Sequence, residues 1–116
     1  MSTNKANHQA SATRIAELND EFRHRGTGGS TYITAGIHAK GPEFLIRATA
    51  EVAAFNLFNA DNDPYGHRDF GCVTIEGQKV FWKIDYYDKM REYGSQDPSD
   101  PSKTHRVLTI MFSHEY

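Results

Sequence analysis

At 116 residues the chain is one domain in length, and its 38% hydrophobic content is modest, but seven Phe, six Tyr and one Trp supply enough area for a core. A formal charge of −2 gives no global basic field for gripping nucleic acid, and the part from Asn59 onward, with seven basic against ten acidic residues, is mildly acidic. Cys72 is the only cysteine, which excludes an internal disulfide framework and a cysteine-rich zinc site.

The polar opening, residues 1–11, reads as a disordered tail without the apolar centre of a signal peptide. No apolar run approaches membrane-spanning length, so the expected setting is the cytoplasm, with no membrane partner. A helix follows, with Ile15, Leu18 and Phe22 at helical spacing, Thr13 as its cap and Gly26 as its end. Gly26-Thr27-Gly28-Gly29-Ser30 reads as a flexible connector, and Tyr32-Ile33-Thr34 as a short strand.

Gly41-Pro42 opens a second helix, because proline costs little at the first helical position. Its expected buried stripe is Leu45, Thr49, Val52 and Phe55, extended by Phe44 and Phe58. Asp69–Ile75 and Gln78–Tyr87 then form a hairpin, with Glu76-Gly77 or Gly77-Gln78 as the central turn pair. Either turn places Gly71, Val73 and Ile75 on one face with Val80, Trp82 and Ile84. Arg106–Ser113 is a last strand, apolar on both faces and hence central or covered. Helices followed by strands predict a two-layer α+β domain over residues 12–116, with two helices on one face of a mainly antiparallel sheet of about four strands.

Three segments concentrate polar chemistry. Asp61, Asp63, His67 and Asp69 could gather around a divalent metal. Asp61, Asp63 and Gly66 even imitate the start of a calcium loop, but Tyr65 and Cys72 stand where oxygen ligands are required. The stronger reading of the same residues is turn chemistry that needs no ion. The second segment is the outer row of the hairpin, Phe81, Lys83, Asp85 and Tyr87, whose aromatic and charged character suits an interface. A half-covered sheet face, or a stacking platform for single-stranded nucleic acid, would use the same row. The third is the stretch from Lys89 to Thr104, a long extended loop with two Asp-Pro-Ser units, of a length that is often functional or mobile; its plain alternative is a surface excursion packed down by Met90 and Tyr93. No nucleophile motif stands out, Cys72 sits inside a strand, and no cofactor is expected.

The strings Asp61-Asn62-Asp63-Pro64-Tyr65-Gly66, Asp69-Phe70-Gly71, Val80 to Asp88, Tyr93-Gly94-Ser95, Asp97-Pro98, Arg106 to Met111 and Glu115-Tyr116 resemble a small bacterial family, domain of unknown function 3768. Arg14 to Asp20 is also similar to that family's opening. The resemblance carries over no catalytic residue. It implies a setting among plasmid and phage-like genes, and so an accessory protein or an inhibitor of a host defence complex. The leading expectation is therefore a non-enzymatic interaction module that binds a larger protein complex. Its candidate surface comprises Phe81, Lys83, Asp85 and Tyr87 with the loop residues Tyr65 and Tyr93. The alternative is a metal-dependent hydrolase or nuclease using Asp61, Asp63, His67 and Asp69, and the third is sequence-tolerant nucleic-acid binding.

Overall fold

A computed structural model describes residues 2–116. In chain order the elements are α1 (Ser2–Arg25), β1 (Gly29–Ile33), α2 (Ala35–Ala39), α3 (Pro42–Ala54), β2 (Phe70–Ile75), β3 (Gln78–Tyr87), β4 (His105–Phe112) and a closing 3-10 turn, Ser113–Glu115. The four strands lie in the order β1-β4-β3-β2. β1 runs parallel to β4, and the other two pairings are antiparallel. The architecture is the expected α+β arrangement, with helices against the sheet.

Several boundaries differ from the sequence expectation. α1 begins at Ser2 rather than near Thr13, so the segment read as a tail carries helical backbone, with Met1 outside the described residues. Ala6, Ala10 and Ala12 favour helix there and hydrophobic periodicity gives no sign of it. Gly26 ends the helix as expected, at φ 74°, and its N–H donates to the Phe22 carbonyl at 2.8 Å. The supposed connector is partly strand, since Gly29 pairs with Arg106. A Cβ on Gly29 would collide with the Arg106 carbonyl, so glycine is what lets the two strands meet.

α2 was not foreseen. Its position is fixed by the chain's far end: Glu115 accepts from the Thr34 hydroxyl and the Phe112 N–H, both at 2.8 Å, and from the Gly36 N–H at 3.1 Å. A Cβ on Gly36 would lie 2.7 Å from this carboxylate. These donors, the Phe112 N–H foremost, hold the Glu115 carboxyl below its ordinary range. A depressed carboxylate stabilises the fold above its unfolded pKa, and that contribution is lost as pH falls through the folded value. Glu115→Gln, which places an amide against three donors, should therefore melt lower than the parent at neutral pH. The gap between the two melting temperatures should close as pH drops below the ordinary glutamate range.

α3 starts at Pro42, as expected, but its buried stripe is Phe44, Ala48 and Val52; Thr49 is exposed, its hydroxyl donating to Leu45 and Ile46 carbonyls within the helix. The small Ala48 permits close approach to the sheet, and Phe44 sets the phase of the stripe. The turn pair is Glu76-Gly77, both at positive φ (52° and 76°), with Ile75 opposite Gln78. Val73, Ile75, Val80, Trp82, Ile84, Leu108, Ile110 and Phe112 form the sheet's inner side, and Phe22, Ile37, Phe44, Ala48 and Val52 cover it.

Candidate functional site

Among the described residues, no α-helix packs on the opposite side of the sheet. β3 places Phe81, Lys83, Asp85 and Tyr87 there in alternation, and register puts Met111, Thr109, Val107 and His105 of β4 beside them. Tyr32 of β1 lies next to Thr109 in the same row. Lys83 and Asp85 form an ion pair at 2.7 Å, which raises the Lys83 ammonium above its ordinary pKa. Their charges are thus matched within the face. A shallow depression of about 370 Å³ lies over this pair, walled by Tyr32, Tyr87 and Arg91. At the other end the closing turn brings Tyr116 against Phe70 and Phe81, with ring centroids 6.0 and 5.9 Å apart. Phe81 is thereby half-buried in an aromatic cluster, whereas Tyr32 and Tyr116 remain 61% and 75% exposed.

The two polar loops join at one end of the sheet, through a network the sequence did not announce. Asn19 of α1, fully buried, donates to the His67 carbonyl at 2.9 Å and to the Tyr86 hydroxyl at 2.8 Å. Its side-chain oxygen accepts from Arg106 Nε at 2.7 Å, and Arg106 Nη2 reaches the Pro98 carbonyl at 2.6 Å. The Tyr86 hydroxyl donates to Asp69 at 2.9 Å. Burial, then the Asp69 charge, pushes this phenol well above its ordinary range. Arg23 does similar work one turn along: it donates to the Val52 and Phe55 carbonyls, capping α3, and stacks over Trp82 at 4.7 Å.

The metal candidates are held by protein groups instead of by one another. Asp69 accepts from Tyr86, and Asp63 Oδ1 accepts from the Arg68 N–H at 3.1 Å. Asp61 is exposed, in a turn organised by the Asn59 and Asn62 side chains. His67 Nδ1 comes no nearer than 3.9 Å to Asp69. Among the described residues, no group of three or more His, Cys, Asp or Glu is placed to hold an ion.

Tyr65 and Tyr93 stand on separate loops, 78% and 73% exposed. Met90 is likewise exposed, so it and Tyr93 do not pin the long loop. Order there comes from Asp97 and Asp100, whose carboxylates accept from Ser99 and Ser102 in two successive turns, and from the buried Thr104 hydroxyl, which donates to the Asp97 carbonyl at 2.8 Å. The loop is compact, not extended.

These features define a two-layer α+β protein in which, among the described residues, one sheet face has no α-helix over it, and whose two polar loops are tied together at one end. Residues 33–115 match the family model described as a protein of unknown function, DUF3768, and the chain belongs to that family. α1, including Arg14–Asp20, lies outside the matched range. No curated protein and no solved structure matches the chain. Among the described residues no helix is long and apolar enough to cross a membrane.

Proposed function

We propose that this protein is an interaction module that docks onto a larger protein complex through the sheet face that bears Lys83, Asp85 and Tyr87. The observation that supports this reading is the row itself: a matched Lys83–Asp85 pair framed by the exposed rings of Tyr32, Tyr87 and Tyr116. Tyrosine offers a large contact area at low entropic cost, and it is enriched where interfaces concentrate their energy. A strand-borne row is also rigid, so little ordering is required on docking.

Photo-crosslinking in cells that express the protein tests this. A benzophenone amino acid at Tyr32 or Tyr87 should yield a discrete adduct, and one at Ile46, exposed on α3, should not. Tyr87→Ala should weaken capture of the crosslinked protein by roughly 30-fold, the ~2 kcal/mol of an interface hot spot, without lowering the melting temperature. Equal adducts from both sides of the molecule, or none from the sheet face, would sink the reading.

A further inference from the structure

The Glu76-Gly77 turn decides which backbone groups of β2 remain free. A two-residue turn makes Ile75 and Gln78 a doubly hydrogen-bonded pair, and antiparallel pairs then alternate along the ladder. Val73 and Gly71 bond to Val80 and Trp82, and the Asp69 carbonyl accepts from the Ile84 N–H at 2.8 Å, in the same phase. Phe70, Cys72 and Thr74 therefore turn their N–H and C=O groups away from β3, along the sheet's open edge. Among the described residues no other element takes them up. Proteins ordinarily blunt such an edge with a charge, a proline or a bulge. Phe70 to Ile75 contains no charge and no proline, and its register runs unbroken.

Beside this edge lies a cavity of about 380 Å³, lined by Phe55, Leu57, Glu51 and the successive residues Cys72, Val73 and Thr74. Side chains alternate along a strand, so three successive residues line one cavity only where the strand's edge faces it. Leu57 is 73% exposed there, and Glu51 is exposed and makes no ion pair among the described residues.

We infer that an extended peptide of a partner protein adds to β2 as a further strand, placing an apolar side chain in the Phe55–Leu57–Val73 cavity and a basic side chain on the same face toward Glu51. Main-chain bonds to Phe70, Cys72 and Thr74 give the affinity, and the cavity with Glu51 gives the selection. A second copy of this chain does not fit. Were two β2 strands to pair, the side chains directed toward the cavity would be Val73 and Ile75, 8% and 0% exposed and already committed to their own core. The edge is distinct from the tyrosine row, so this site goes beyond the sheet-face reading and can fail without it.

The test selects short random peptides by display on the immobilised full chain, followed by amide exchange of the chain with a synthetic copy of the peptide most enriched. Enriched sequences should alternate apolar residues and carry Lys or Arg on the apolar side. Exchange at the Cys72 and Thr74 amides should be fast in the free protein and slow by roughly tenfold or more on peptide addition, with Val73 and Ile75 unchanged. Thr74→Pro, which deletes an edge N–H, and Glu51→Lys, a surface change that spares the fold, should each weaken peptide binding at least roughly tenfold. Tyr87→Ala should leave it unchanged. Failure to enrich any peptide, or peptides that leave Cys72 and Thr74 exchanging freely, overturns the site. Slow exchange at those amides in peptide-free protein that rises with its concentration would assign the edge to self-pairing, and overturns it too.

Discussion

Asn19→Ala should destabilise the protein by about 3 kcal/mol and lower its melting temperature by roughly 10 °C. The alanine costs little as a helix residue; the damage lies in what it abandons. Arg106 is 2% exposed, and its guanidinium has the Asn19 oxygen, the Pro98 carbonyl and the Tyr86 ring face as its surroundings, with no ion pair among the described residues. Removing the Asn19 oxygen leaves a charged N–H buried without an acceptor, the most expensive form of an unmade hydrogen bond. The His67 carbonyl loses its donor in the same step, while Tyr86 keeps Asp69. Arg106→Met should cost less, about 2 kcal/mol, because the cation whose burial opposed folding goes with its bonds. The double variant Asn19→Ala/Arg106→Met should then lose much less stability than the sum of the two single losses. Additive losses would show that the two side chains do not act as a unit. An Asn19→Ala melt within a degree or two of the parent would show that water replaces the amide.

This network also marks where sequence reading runs out. The hairpin was legible because its alternation is strict and Glu76-Gly77 supplies the two positive φ values that a tight turn requires. The parity that placed Phe81, Lys83, Asp85 and Tyr87 on one face also points Arg106 inward, two residues before Leu108, and Tyr86 inward, two after Ile84. Asn19 follows Ile15 by four and precedes Phe22 by three, on the buried stripe of α1. The signal was present, but composition argues that Arg and Asn belong in water, and only tertiary contacts show them satisfied inside. Thr49 failed in the opposite sense: the spacing allowed two phases for α3, and Phe44 with Ala48 won because a large and a small side chain together fit the sheet. The convergence of Tyr32 and Tyr116 on the β3 row depends on pairings far apart in the chain, which no local pattern encodes.

Gly71→Ala should destabilise by about 2–3 kcal/mol, although the backbone there is ordinary strand that alanine adopts freely. A Cβ at this position would lie 2.6 Å from Trp82 Cε2 and 2.8 Å from Cζ2, well inside contact distance. The indole has nowhere to go. It is fully buried, with Phe55 and Phe58 at centroid distances of 5.6 and 6.1 Å and the Arg23 guanidinium over its ring. Relief must come from moving β2 or tilting Trp82, and either disturbs the Arg23 cap on α3. Against this, alanine recovers only about 0.4–1 kcal/mol by restricting the unfolded chain. Trp82→Phe, a smaller ring, should be destabilising alone through the cavity it leaves, and should partly rescue Gly71→Ala, because each change makes room for the other. Thermal melts of the two singles and the double decide the matter. Rescue shows that glycine is present to admit the indole. A double variant worse than the sum would mean that Gly71 serves the backbone and not the ring.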